Sequence, residues 1–352
     1  MNRDVIKAVG RLLAGRQSFA LATIISHQGS IPRLPGTKMV ICRGGETFGT
    51  VGGGMLESAV CQRAARVLET ATPRRMVFEL TTRARETMDM ICGGWAEVLV
   101  DLVDPDAASG QCLAQWQQMQ AHERRGILVT LLDAGSQPVE AVHTHHLVLD
   151  ADGGLLCGHP PPDLPLSDLA AAGTGQALVK INAGDGRQAV IEPFHPCESL
   201  FIFGAGHVSR PTARMASMVG FRVEVFDDRA EFASPDRFPD AHRVVVLDDY
   251  DGALTGLPVA ADSFIVVVTR GHLHDQTVLA QALGTPAAYI GMIGSRTKRD
   301  TIYNNLRLEG FDDTDLARVA SPIGLSIGAQ TPEEIAVSIV AELIQRRREV
   351  RS

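Results

Sequence analysis

The stretch from Leu200 to Asp228 constrains the fold most, because it reads as one strand, a tight turn, a helix and a second strand. An apolar run ends at Gly204-Ala205-Gly206, a turn that reverses a strand into a helix whose first N–H groups point outward. Asp227 closes the second strand about twenty residues later, where a carboxylate reaches ribose hydroxyls in dinucleotide folds. Ser209 replaces the third glycine of that fingerprint, although a small residue suffices there. The stretch predicts a Rossmann-like unit that either binds a nucleotide or keeps the turn for its geometry alone.

The rest of the carboxyl-terminal half continues this alternation. We predict strands at 244–247, 264–269 and 288–293 and helices at 275–283 and 296–309. The strands are apolar on both faces, as buried parallel strands are, and ligands of such sheets bind at the carboxyl ends of the strands. The turn and the loops at those ends supply the candidate nucleotide-binding residues Gly204, Gly206, His207, Asp227, His272, Ser295 and Arg296.

The amino-terminal half joins strands through glycine-rich loops. A loop stiffened by two prolines and two glycines, residues 27–36, carries Ser30 and Arg33. Gly52, Gly53 and Gly54 come directly before a predicted helix that begins near Met55. Successive glycines at a helix start expose backbone N–H groups to which a phosphate or a similar anion can bind. The alternative is a tight strand-to-helix turn without a ligand.

Cys92 is the cysteine with the most open surroundings, because Gly93 and Gly94 follow it. An open thiol suits a ligand or a nucleophile, and a small buried core residue is the alternative. The six cysteines include no C-x-x-C pair, which argues against a zinc knuckle and against a disulfide framework. Three histidines lie close together in the sequence: His143, His145 and His146. No cysteine or carboxylate lies at a spacing that would complete a metal site with them, so they are interpreted as exposed polar residues.

Length and charge narrow the class of protein. A chain of 352 residues predicts two domains, and the run from His195 to Ser199 is the natural boundary between residues 1–196 and 197–352. The net charge of -8 argues against a nucleic-acid surface, and no apolar run approaches the ~20 residues of a membrane span. The amino terminus predicts an amphipathic helix rather than a signal peptide, which indicates a cytoplasmic protein. Apolar faces of the first and last helices can pack within the chain or across a homodimer.

Several short motifs follow one another along the chain: Gly29-Ser30-x-Pro32-Arg33, Gly52-Gly-Gly54-x-x-Glu57, Cys92-Gly93-Gly94, Phe203-Gly-Ala-Gly206-His207, Phe226-Asp227-x-Arg229 and Gly294-Ser295-Arg296. In this combination the chain closely resembles the XdhC/CoxI family, the accessory proteins for xanthine dehydrogenase and related molybdenum hydroxylases. The resemblance leaves only residues 103 to about 196 loosely covered. It implies an α/β protein whose mixed-sheet amino-terminal domain precedes a Rossmann-like, doubly wound parallel domain.

The resemblance also implies a function. Such a protein binds the molybdenum cofactor, holds it while a cysteine desulfurase replaces an oxo ligand by a sulfido ligand, and delivers it to the large subunit of the apo-hydroxylase. It would act as a chaperone without turnover of its own. On this basis the cofactor phosphate is assigned to Gly52, Gly53 and Gly54. Arg33 and Glu57 are assigned to polar recognition or to an ion pair. Contact with the cofactor is assigned to Ser30, Cys92, Gly93 and Gly94, with Cys92 at its molybdenum.

Two other functions remain open. The carboxyl-terminal domain can bind NAD(P) or another nucleotide through Gly204, Gly206 and Asp227, which would make the protein an oxidoreductase. The sequence offers only His207, His272 and Asp275 as catalytic groups for that reaction. The other alternative is a sulfur or nucleotidyl transferase that modifies the cofactor, with a persulfide on Cys92.

Overall fold

The computed structural model describes residues 3–29, 33–79, 94–122, 124–133, 141–175, 177–183 and 186–351. They form two compact units, Met1–Pro196 and Cys197–Ser352. Antiparallel sheets build the first unit and a six-stranded parallel sheet builds the second, which confirms the predicted fold class. In the described part of the chain, no helix is both long and apolar enough to cross a membrane.

The first sheet and its two helices occupy the beginning of the chain: α1 (Arg3–Ala14), β1 (Phe19–Gln28), β2 (Lys38–Cys42), β3 (Thr47–Gly49), α2 (Gly54–Thr70), β4 (Arg74–Glu79) and β5 (Trp95–Val103). The strand order is β3-β2-β1-β5-β4, and every neighbouring pair is antiparallel. Helix α2 buries Leu56, Val60 and Ala64 against the apolar side chains of β1 and β5. Their spacing of four residues places them on one face of the helix, and this face packs on the sheet.

The second sheet follows directly: α3 (Ala108–Ala121), β6 (Gly126–Asp133), β7 (Thr144–Asp150), β8 (Leu155–Cys157), α4 (Leu166–Ala172), β9 (Val179–Asn182) and β10 (Arg187–Phe194). Its order is β8-β7-β6-β10-β9. Two polar contacts join it to the first sheet: Lys38 forms an ion pair with Glu192 at 2.6 Å, and the buried His146 ring lies 2.8 Å from the Asp101 carboxylate. The prediction that His146 is exposed is therefore wrong, because strand alternation turns it inward while His145 faces out.

The second unit alternates strands and helices: β11 (Ser199–Phe203), α5 (Ser209–Met218), β12 (Arg222–Asp227), β13 (Arg243–Val246), β14 (Phe264–Val267), α6 (His272–Leu283), β15 (Tyr289–Met292), α7 (Arg296–Leu308), α8 (Asp313–Ala317), β16 (Val319–Ala320) and α9 (Pro332–Arg351). The order β13-β12-β11-β14-β15-β16 is parallel throughout. The chain reverses direction across the sheet between β11 and β14, where such folds have their ligand crevice. Phe201 and Phe203 fill the core on one face, and Leu200 and Ile202 fill it on the other.

Candidate functional site

Three glycine-bearing segments of the first unit leave the first sheet at one edge. Gln28 at the end of β1 pairs with Trp95 at the start of β5, and Glu79 at the end of β4 pairs with Trp95 from the other side. Gly49 at the end of β3 pairs with Met39 near the start of β2. Residues 33–37, 49–54 and 94 therefore share this edge, which we call the glycine-rich edge. The candidates Ser30, Cys92 and Gly93 lie outside the described residues.

The turn that opens α2 has a backbone that requires glycine. Gly52, Gly53 and Gly54 have φ angles of 135°, 75° and 58°, a region that side-chain-bearing residues rarely adopt. A Cβ on Gly53 or Gly54 would meet no atom within 4 Å, so open space lies above the main chain. The first N–H groups of a helix have no acceptor within the helix itself. A ligand with an anionic group can thus approach the main chain at the positive end of α2, where the N–H groups of Gly52 and Gly53 already have side-chain acceptors.

Glu57 holds this turn from within α2. Its Oε2 accepts hydrogen bonds from the Thr50 hydroxyl at 2.6 Å and from the Gly53 N–H at 3.0 Å. The Gly52 N–H in turn donates to the Thr50 hydroxyl oxygen at 3.1 Å. The carboxylate therefore fixes the glycine backbone and also adds negative charge next to it, so an anion bound there needs a cation nearby.

The rest of the glycine-rich edge supplies a cation and apolar surface. Arg33 is exposed, and so are the apolar side chains of Leu34 and Met55. The Trp95 indole N–H donates to the Gln28 side-chain oxygen at 2.8 Å, which ties the strand that follows Gly94 to the end of β1. Among the described residues, what Arg33, Gly94 and the glycine turn have in common is their position at this edge of the sheet.

The glycine turn of the second unit is tight at its first glycine and open at its second. Gly204 has a φ of 109°, and a Cβ there would come within 2.4 Å of the Val268 carbonyl oxygen, so no side chain fits. A Cβ on Gly206 would meet no atom within 4 Å. The buried Ser209 hydroxyl donates to the Gly204 carbonyl oxygen at 2.5 Å. Serine thus takes the place of the third glycine because its hydroxyl secures the turn.

Asp227 lies at the end of β12 and is completely buried. It accepts hydrogen bonds from the Ala205 N–H at 2.7 Å and from Nε of Arg229 at 2.9 Å. Burial is the largest influence on its pKa and raises it, but the hydrogen bonds from Arg229 and Ala205 together outweigh burial and lower the pKa. The carboxylate therefore pins the glycine turn, and a ribose can reach it only by sharing or displacing Arg229.

The other candidates of the second unit lie in the loops after β14 and β15. Ser295 caps α7, because its side-chain oxygen accepts from the Lys298 N–H at 3.2 Å. The completely buried Asp275 accepts from the Thr269 hydroxyl at 2.6 Å and pairs with the Lys298 ammonium group, and burial raises its pKa. Asp275 is thus a structural link between α6 and α7.

Three candidate side chains at these strand ends face solvent: His207, His272 and Arg296. Sequence reasoning missed an ion pair between Arg270 and Asp228, which joins the loop after β14 to the end of β12. Because β11 lies between those two strands, this ion pair spans the end of the strand that carries the glycine turn. No spacing in the sequence indicates such a contact.

In comparison with known proteins, separate family models match parts of the two units. A family model described as the XdhC and CoxI family matches residues 12–79, and one described as the XdhC Rossmann domain matches residues 200–343. A crystal structure described as a xanthine dehydrogenase from Bacillus halodurans superposes with a TM-score of 0.80 at 28% identity, over 98% of this chain and 96% of that one.

Three relatives match most of this chain. A protein of Bacillus subtilis (strain 168) named as a probable xanthine dehydrogenase subunit is 28% identical over 96% of both sequences. The molybdenum cofactor insertion chaperone PaoD of Escherichia coli (strain K12) is 22% identical over 98% of this chain and 89% of its own length. The uncharacterized protein YqeB of the same organism is 24% identical over 93% of this chain, which spans only 43% of that protein. The order of the motifs, the two folds and these matches agree: the chain belongs to the XdhC and CoxI family.

Proposed function

We propose that this protein is an accessory protein of xanthine dehydrogenase or a related molybdenum hydroxylase, and that its cargo, the molybdenum cofactor, binds at the glycine-rich edge. The observation that carries the proposal is the start of α2, where glycine backbone, open space and a helix N-terminus coincide. A phosphate group fits such a place because it needs close backbone approach and N–H donors.

The surroundings of that turn suit the rest of such a cargo. The exposed Arg33 guanidinium would balance the charge of a phosphate beside the Glu57 carboxylate. The exposed Leu34 and Met55 side chains offer an apolar surface to a flat ring system. Cys92 would face the molybdenum end, because a thiolate is a soft ligand that suits a metal held by sulfur. Ser30, Gly93 and Gly94 complete the proposed set of contacts.

The accessory role follows from the relatives' names together with this fit. One relative is named a molybdenum cofactor insertion chaperone and another a probable xanthine dehydrogenase subunit. We extend this to a sequence in which a cysteine desulfurase provides the sulfido ligand while the chain holds the cargo. The apo-hydroxylase large subunit then receives the cargo, and this chain performs no turnover. A cytoplasmic homodimer belongs to the same proposal.

A second activity, binding of NAD(P) or another nucleotide, is supported by the open space at Gly206 in a parallel sheet of the doubly wound order. Because Asp227 is already held by Arg229, we expect such binding to be weak. Titration of the full chain with NAD and with other nucleotides tests this. A tight complex that is insensitive to substitution of Asp227 would show that the ribose lies elsewhere.

The test of the main proposal is purification from a host that makes the molybdenum cofactor, followed by molybdenum and pterin analysis. We expect both to accompany the chain, and we expect the chain to raise the activity of a co-expressed hydroxylase. The same preparation, given xanthine and NAD with no other protein present, should not oxidise xanthine. Turnover of xanthine by this chain alone would contradict the accessory role.

A further inference from the structure

Two thiols of the first unit touch although they are distant in sequence. The Sγ atoms of Cys112, in α3, and Cys157, the last residue of β8, are 2.8 Å apart across a separation of 45 residues. Neither residue belongs to the glycine-rich edge or to the motifs that identify the family. This contact therefore has no role in the proposed cofactor site.

Main-chain packing, rather than a flexible side chain, produces the contact. Gly158 follows Cys157 with a φ of 97°, and a Cβ there would fall 2.2 Å from the His146 carbonyl oxygen. Glycine thus lets the end of β8 lie directly against β7. The Cys112 Sγ lies 3.4 Å from the same carbonyl oxygen of His146. The Cys112 sulfur and the main chain that follows Cys157 therefore both lie at the His146 carbonyl of β7.

The two thiols differ in accessibility. Cys112 is completely buried, and burial raises its pKa, so it stays protonated. Cys157 is half-buried and is the member of the pair that a small oxidant reaches. A disulfide bond is about 2.05 Å long, so the two sulfurs need to approach by about 0.8 Å to form one.

We propose that Cys112 and Cys157 form a reversible disulfide, a redox modification site that links α3 to β8. With hydrogen peroxide as the oxidant, the Cys157 sulfur takes one hydroxyl group of the peroxide to become a sulfenic acid, and the other hydroxyl group leaves as water with the thiol proton. The Cys112 sulfur then attacks the Cys157 sulfur and displaces hydroxide, which leaves as water with the Cys112 proton. The two thiols have lost two electrons, and an external dithiol reverses the reaction by exchange.

Peptide mapping of the full chain tests this site. The reduced protein is treated with hydrogen peroxide, its remaining thiols are blocked with N-ethylmaleimide, and it is digested without reductant. We expect a pair of peptides joined through Cys112 and Cys157 that separates on addition of dithiothreitol. Because the bond closes a long loop, the oxidised chain should also melt at least about 5 °C higher than the reduced chain.

Matched variants separate this pair from general oxidation. Cys157→Ser and Cys112→Ala should each abolish the cross-link and the rise in melting temperature. Cys61→Ser, which removes a half-buried thiol of α2, should preserve both. The proposal is overturned if peroxide leaves both thiols open to N-ethylmaleimide after unfolding, converts Cys157 to a sulfinic acid while Cys112 stays free, or pairs either cysteine with a different one.

Discussion

At the scale of single residues, a carboxylate secures a glycine turn in each unit. Glu57 accepts from the Gly53 N–H in the first unit, and Asp227 accepts from the Ala205 N–H in the second. Each carboxylate also binds a second donor, the Thr50 hydroxyl or the Arg229 guanidinium. Both residues were candidates for ligand contact, and both hold the backbone to which a ligand would bind. Their substitution therefore changes stability as well as any binding.

Asp227→Asn should destabilise the chain in a pH-dependent way. The lowered pKa means that the ionised carboxylate stabilises the fold above its unfolded pKa of about 3.9, and that this contribution is lost as the pH falls through the folded value. We expect a loss of about 3 kcal/mol at pH 7, which shrinks as the pH falls below about 4. Urea unfolding at several pH values measures it, with the exposed Asp240→Asn as the control. An equal loss at pH 7 and pH 3 would contradict the assignment.

Cys92→Ser should reduce the molybdenum that co-purifies with the chain, with no drop in melting temperature. The reason is chemical, because a serine oxygen is hard and poorly ionised and replaces a thiolate ligand badly. A cysteine that merely fills the core would give the reverse pattern, a lower melting temperature with normal molybdenum per folded molecule. Both quantities are to be measured on one preparation.

At the scale of elements, the starts of helices carry most of the candidate residues, and their structural roles differ. The N-cap residue of helix α2 is Gly53, which has no side chain to cover the first turn, although its own N–H is held by the Glu57 carboxylate. Helix α7 is preceded by its N-cap residue Ser295, whose side chain accepts from the Lys298 N–H. Capping therefore gives Ser295 a structural role, and contact of Ser295 with a nucleotide stays a prediction.

Ser295→Ala should therefore lower the free energy of unfolding by about 1 kcal/mol, and Ser295→Asp should restore it, because aspartate caps helices equally well. Neither change should affect a nucleotide titration more than the control Thr297→Ala, an exposed residue of the same first turn. If Ser295→Asp instead abolishes nucleotide binding while the chain stays folded, Ser295 contacts the ligand.

At the scale of the whole molecule, local patterns predicted the fold and could not predict the contacts between strands. The glycine turn at Gly204 and the apolar runs after it define the parallel unit, because each strand and helix there follows from neighbouring residues. The order of the antiparallel sheets depends on pairing between distant segments. The buried pair of Lys38 with Glu192 and the contact of Cys112 with Cys157 are likewise invisible to spacing rules.

The residues of the candidate site could be predicted from local sequence, but their arrangement at one edge of the sheet could not. The three glycines were singled out because successive glycines at a predicted helix start expose backbone N–H groups, and the positive φ angles of all three agree with a turn that needs glycine. Strand register places residues 33–37 and Gly94 at the same edge of the sheet as these glycines. The sequence does not encode that register locally. His146 was misjudged for a related reason, since it is buried by the contact of β7 with the distant residue Asp101 of β5.

The central claim, that the cargo phosphate lies on the backbone that opens α2, is tested most directly by a matched pair of glycine variants. Gly53 and Gly45 have φ angles of 75° and 85°, and a Cβ at either meets no atom within 4 Å, so neither Gly53→Ala nor Gly45→Ala introduces a steric clash. The ψ of -176° at Gly53 adds backbone strain to Gly53→Ala, so cofactor content is compared per folded molecule. Gly45 lies in the turn between β2 and β3, at the opposite edge of the sheet. Molybdenum and pterin per chain, measured after co-purification, should fall at least tenfold for Gly53→Ala and stay at the wild-type level for Gly45→Ala. Equal cofactor content in the two folded variants would contradict the account.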